Sequence, residues 1–156
     1  MRPLHYLSIA LLLGCAAEPV APGVEDLVGR WRSQPESLSP GGSMDRLFVV
    51  GRDGHTEDQV TSRGVYPDQL PDQVSAQVVL FGRIGVHGDQ FVIHPDSVVT
   101  HDVFYGASNR SVRRDFTGWP LDSVRYAVRG DELHLEFYTY PADAPELTRQ
   151  VLYQSQ

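Results

Sequence analysis

From Val28 to the C-terminus, apolar and polar residues alternate in short runs, with no stretch that sustains the three-to-four residue spacing of a long helix. Near the C-terminus Val124, Tyr126 and Val128 share one face and Ser123, Arg125 and Ala127 the other. After a break, Leu133, Leu135 and Phe137 oppose His134, Glu136 and Tyr138. Such strands bury one face and wet the other. The breaks repeat one chemistry: Gly51-Arg52-Asp53-Gly54, His87-Gly88-Asp89-Gln90 and Arg129-Gly130-Asp131-Glu132. Gly and Asp supply the left-handed or side-chain-bonded conformations that tight hairpins need, and strands joined by hairpins are antiparallel. The pattern predicts strands near 29–33, 45–50, 55–62, 74–86, 91–94, 98–104, 111–116, 123–128, 133–139 and 148–153, with room for neighbours among them to merge. The segment 62–73, with Pro67 and Pro71, is the longest loop candidate, and 106–110 and Gly118-Trp119-Pro120 are shorter ones. The strand at 55–62 is polar on both faces, which leaves its register the least determined. A meander of this kind forms either an open sandwich or a closed up-and-down barrel, and closure removes the exposed edges.

The N-terminus follows another pattern. Arg2 precedes Tyr6-Leu7-Ser8-Ile9-Ala10-Leu11-Leu12-Leu13, an apolar run too short to cross a bilayer as a stable helix. It stops at Leu12-Leu13-Gly14-Cys15, which resembles the lipobox of bacterial lipoproteins: an aliphatic residue three before the cysteine and a small one just before it. The resemblance implies that residues 1–14 are a removable export signal and that Cys15 is lipidated. More than one acyl chain then makes attachment effectively permanent, at about 0.8 kcal/mol per buried methylene. Cys15 is the only cysteine, so no disulfide competes for it. The alternative is an ordinary secretory signal with an incidental cysteine. Residues 15–25, small and rich in Pro and Ala, are expected to form a flexible tether, and 26–156 a single domain with one core. Ala16, rather than Asp, follows the cysteine; in a host with two membranes the resemblance implies sorting to the outer membrane, facing the periplasm.

Asp26-Leu27-Val28-Gly29-Arg30-Trp31 is similar to the Gly-x-Trp opening of the first strand in lipocalins and the wider lipocalin-like, or calycin, barrels. The resemblance implies an all-β, antiparallel up-and-down barrel of about eight strands in which Trp31 closes the floor. It also implies an arginine from the last strand across the indole, and Arg149, on one strand face with Val151 and Tyr153, is the expected partner. The Thr-Asp-Tyr motif of lipocalins is absent, as is a disulfide at the C-terminus.

Charge narrows the partners. Without the signal, twelve arginines stand against twenty acidic residues, with no lysine, and such an acidic domain gives no support to nucleic-acid binding. Arg113-Arg114 fits a solvated strand face. His87, His94 and His101 recur every seven residues, but odd spacing alternates strand faces, so surface or structural roles are expected over a metal site. His94-Pro95-Asp96 and His101-Asp102 give base-like pairs without a nucleophile or metal, so no catalytic residue and no cofactor is expected. Asn109-Arg110-Ser111 matches a glycosylation acceptor but reads as loop chemistry.

The aromatic set Phe81, Phe91, Phe104, Phe116, Tyr126, Phe137, Tyr138 and Tyr140 either fills the barrel or lines a small-molecule cavity. Phe91, Tyr126 and Phe137 are the candidate ligand contacts. Consecutive aromatics at 137–140 must leave some rings outside, where they would suit a protein partner. The expected protein is a lipid-anchored, non-catalytic binding module of the cell envelope that takes up a small apolar or amphipathic molecule. The alternative is an envelope interaction or inhibitor protein that acts through loops such as 62–73 around a filled barrel.

Overall fold

The structure, a computed structural model, describes residues 23–38, 41–104, 107–114, 123–139 and 144–155. The expected signal at 1–14, Cys15 and the tether up to residue 22 lie outside the described residues. Among the described residues ten strands follow one another: β1 (Gly29–Ser33), β2 (Glu36–Leu38), β3 (Gly42–Val50), β4 (His55–Arg63), β5 (Val74–His87), β6 (Gln90–Phe104), β7 (Ala107–Arg113), β8 (Val124–Arg129), β9 (Glu132–Thr139) and β10 (Glu146–Gln154). Eight of them close an antiparallel up-and-down barrel. The ring runs β1-β10-β9-β8-β6-β5-β4-β3 and returns to β1, where Trp31 faces Gln154 on one side and Phe48 on the other. The first and last strands meet, and no edge is left on the closed wall.

The two remaining strands extend the wall. β2 takes over the β3 edge at Gly42–Met44, beyond the stretch Leu47–Val50 that β1 covers. β7 takes the far half of β6, Val98–Phe104, while β8 reaches only its start at Gln90 and Phe91. β2 was not foreseen from the pattern. Residues 107–110, expected in a loop with Asn109-Arg110-Ser111, are instead laddered on β6, and the strand expected at 111–116 ends at Arg113. The polar side chains of this stretch conceal a strand held by backbone pairing to its neighbour. The two strands expected at 91–94 and 98–104 form one, joined through a bulge in which Gly82 pairs with Pro95 and Phe81 with Ser97. Asp96 is the extra residue, and β6 changes face there. Gly82 is required at this kink, because a Cβ there would run into the His94 carbonyl oxygen.

Two-residue turns at Gly88-Asp89 and Gly130-Asp131 link β5 to β6 and β8 to β9, with both glycines at φ +65°. One end of the barrel is plugged by a turn before β1, in which Val24 accepts from Leu27 N at 2.9 Å and from Val28 N at 3.1 Å. Val24 and Leu27 are fully buried, so Val24, within the expected tether, packs into the core. Above them the core is Trp31, Phe48, Val50, Ile84, Phe91, Ile93, Leu133, Leu135 and Leu152.

Candidate functional site

Alternation decides which side chains enter the barrel. The inward series is Met44, Arg46, Phe48 and Val50 on β3, and across the ladder Val60, Asp58 and Thr56 on β4. On β9 it is Thr139, Phe137, Leu135 and Leu133, against Thr148, Gln150 and Leu152 on β10. β9 and β10 are apolar at the plugged end and turn polar toward the other, whereas β4 places Thr56 at the plugged end and Val60 at the open one. Phe91 belongs to the packed half: it is 1 % exposed, stacks on Phe48 with ring centroids 5.7 Å apart, and meets Tyr126 at the same distance with a 49° tilt.

Trp31 is buried, 2 % exposed, in the packed core, and its indole Nε1 donates to the Leu27 carbonyl at 2.8 Å. Gly29 has φ +150°, a conformation that residues with a side chain rarely adopt, although a Cβ there would meet the indole only at ordinary contact distance. Arg149 does not cover the ring. The inner face of β10 is Thr148, Gln150 and Leu152, which leaves Arg149 outside with Val151 and Tyr153. Its side chain is 76 % exposed and its Nε donates to Glu136 Oε2 at 3.0 Å.

The interior arginine comes from β3 instead. Arg46 holds Asp58 in a two-pronged ion pair, Nε to Oδ1 and Nη2 to Oδ2 both at 2.7 Å, and Nη1 donates to Gln150 Oε1 at 3.0 Å. The side chains are only 13 % and 14 % exposed, and the guanidinium carbon lies 5.4 Å from the Phe137 ring centre and 5.9 Å from that of Phe48. A charge pair this shielded persists when both geometry and remaining donors are satisfied. The backbone is tied in as well, since Arg46 N donates to Ser33 Oγ at 2.9 Å just past the end of the β1–β3 ladder.

Above this network the barrel is open. A cavity of about 330 Å³ is walled by Met44, Val60 and Phe137, with Ser33, Thr139 and Thr148 as hydroxyls and Glu36 at the mouth. Thr139 and Thr148 bond to each other at 2.9 Å. Of the three expected ligand contacts, Phe137 lines this cavity, Phe91 is sealed in the core beneath it, and Tyr126 lies against Phe91. The Tyr126 phenol is held above its ordinary pKa, first by burial and then by the carboxylates of Asp26, Asp89 and Glu25. A larger depression, about 500 Å³, lies mainly on the outer wall of β8–β10, where Arg125, Glu136 and Arg149 already pair with one another.

The histidines do not gather. His94 and His101 share β6 seven residues apart, roughly 20 Å at strand rise. His94 is exposed and His101 contacts Ser108 Oγ at 2.6 Å. At that separation the two imidazoles are beyond hydrogen-bond reach of one another. Among the described residues no group of three His, Cys, Asp or Glu could hold a metal ion. Tyr138, 53 % exposed, stands beside Leu147, 42 % exposed, on the outer wall, while Phe116 and Tyr140 lie outside the described residues.

Sequence reasoning missed Arg46, Asp58 and Gln150. The signal was present in parity: Arg46 shares the face of Phe48 and Val50, and Gln150 that of Leu152. No family model matches this chain, and neither a curated protein nor a solved structure matches it.

Proposed function

We propose that this chain is a lipid-anchored, non-catalytic, lipocalin-like binding module of the cell envelope, tethered through Cys15 and carrying a small apolar or amphipathic molecule in the open half of its barrel. In a two-membrane host it sits on the outer membrane, facing the periplasm. The observation that carries this reading is the cavity of about 330 Å³, apolar on its walls and closed below by the Arg46–Asp58–Gln150 network. Small-molecule sites have this make-up, largely apolar with a few placed polar groups, and this volume falls at the lower end of their range. Support for the family comes from the Gly29-x-Trp31 opening and from a barrel whose first and last strands meet. Support for the anchor comes from Leu12-Leu13-Gly14-Cys15.

Native mass spectrometry combined with displacement of an environment-sensitive dye tests the cargo. A retained or displaced small molecule is expected, and the loss of dye binding in a Phe137→Trp variant that fills the cavity ties it to this site. If neither the native protein nor the dye screen gives a guest, the reading fails. For the anchor, Cys15→Ala is expected to abolish incorporation of labelled palmitate and leave precursor behind; equal labelling of both forms would contradict it.

A second reading has its own observation. Leu70, 68 % exposed in the 64–73 loop, and the Tyr138–Leu147 pair suit an envelope protein partner. In-cell crosslinking from position 70 or 138 is expected to trap one defined partner if that reading is right, and the absence of any adduct counts against it.

A further inference from the structure

The polar end of the cavity is selective in a way that a lone buried arginine would not be, and from this we infer that the guest is an amphiphile with an uncharged hydrogen-bonding head, an amide, ester or hydroxyl, and that carboxylate-headed guests such as fatty acids are turned away. The inference rests on the barrel being a small-molecule site, as proposed above.

An arginine inside a barrel is by itself a receptor for an anion. Here Asp58 occupies that role permanently, with both carboxylate oxygens on the guanidinium at 2.7 Å. The field that a guest carboxylate would meet is that of a neutralised pair. Its desolvation would go uncompensated unless Asp58 were pushed off Arg46, which would strand a carboxylate in a shielded place. The surroundings add to the bias. Three carboxylates border the cavity, Glu36, Asp45 and Asp58, against two guanidiniums, Arg46 and the Arg63 that pairs with Asp45. The balance is one negative charge in excess.

What remains free suits a neutral head. Of the five N–H groups on a guanidinium, Arg46 commits one at Nε, one at Nη2 and one at Nη1 to Asp58 and Gln150. Two are left to donate to a carbonyl or hydroxyl oxygen. Gln150 accepts through Oε1, so its amide nitrogen is available as a further donor. The Thr139–Thr148 hydroxyl pair stands higher in the same wall. Met44, Val60 and Phe137 would hold the apolar part. An ammonium head offers no acceptor to these donors and meets in Asp58 a carboxylate already neutralised by Arg46.

The experiment compares four probes of one chain length on the full-length mature protein by calorimetry and dye displacement: octanamide, octan-1-ol, octanoate and octylammonium. The expected result is that octanamide and octanol bind at least tenfold more tightly than octanoate or octylammonium. Asp58→Asn, which keeps the shape and frees the guanidinium charge, is expected to raise the affinity for octanoate relative to octanamide at least tenfold, and an unchanged ratio overturns the inference. Preference of the native protein for octanoate or octylammonium overturns the inference and leaves the small-molecule reading standing. Failure of all four probes overturns both. If Asp58→Asn does not fold, the ranking of the four probes on the native protein decides alone.

Discussion

The two halves of this barrel are built from the same strands and differ only in what those strands turn inward. At the plugged end β3, β9 and β10 present Val50 and Phe48, Leu133 and Leu135, and Leu152, sealed from below by Val24 and Leu27. A few residues along, the same strands present Arg46 and Met44, Phe137 and Thr139, and Gln150 and Thr148 around an open cavity. One half is filled by rings and branched chains; the other is left open and lined by groups already bonded among themselves. The comparison teaches that the closed half supplies stability, which frees the open half to carry charge. It also identifies the changes that should hurt one half and spare the other.

The largest expected effect is at the floor. Trp31→Ala removes a ring that is 2 % exposed together with its bond to Leu27, and should destabilise by about 3–5 kcal/mol in urea unfolding, as large-to-small core changes do. A loss below about 1 kcal/mol would mean that the plugged end does not carry the fold.

Next comes the open half. Arg46→Met leaves Asp58 without its partner in a place only 14 % exposed, and should destabilise by about 3 kcal/mol, toward the low end for breaking a shielded pair. Replacing both, Arg46→Met with Asp58→Leu, should recover most of that loss, because apolar substitutes avoid desolvating two charges. A double-mutant cycle checks this. If the double variant were as unstable as the single, the pair would be structural rather than a feature kept for what enters the cavity.

Much of this division can be read in the sequence, and the part that cannot has a physical reason. The hairpins at Gly88-Asp89 and Gly130-Asp131 follow from turn chemistry and alternation, whereas the meeting of the Trp31 strand with the last strand was implied only by the resemblance carried by Gly29-x-Trp31. Alternation alone gives two faces and does not say which is inside. Arg149 was placed with Val151 and Tyr153 as a set, and the set is on one face, but that face is the outer one. The strand at 55–63 looked indeterminate because its inward residues are Thr56, Asp58 and Val60. An inward carboxylate becomes intelligible only once Arg46 is known to reach it diagonally across the β3–β4 ladder. The first half of β7, residues 107–110, was expected as loop because its polar residues lie on a strand held by its pairing to β6.

A polar atom at the filled end should be a liability, in contrast to the open half. Thr56 is 4 % exposed, and its hydroxyl has no hydrogen-bond partner among the described residues. Thr56→Val keeps the branched shape and should stabilise by about 1 kcal/mol, the lower range for an unpaired buried group. Thermal unfolding would reveal it as a higher midpoint, and a lower midpoint would place an unrecognised partner at this hydroxyl.

The smallest effect is a pH dependence that belongs to the filled half alone. Burial and the nearby carboxylates of Asp26, Asp89 and Glu25 raise the Tyr126 phenol above its ordinary value of 10.0. The folded chain therefore keeps this proton where the unfolded chain has lost it. Stability from this group is complete below pH 10 and declines as pH rises through the raised value, at no more than about 1.4 kcal/mol per pH unit for one proton. Urea unfolding at increasing pH should show Tyr126→Phe declining less steeply than the native protein above pH 10, with the two parallel below it. Tyr126 is not part of the cavity lining, so guest binding in the open half should be indifferent to the substitution. Parallel stability curves above pH 10 would mean that the phenol is as well solvated folded as unfolded, and that the packed half ends below Tyr126.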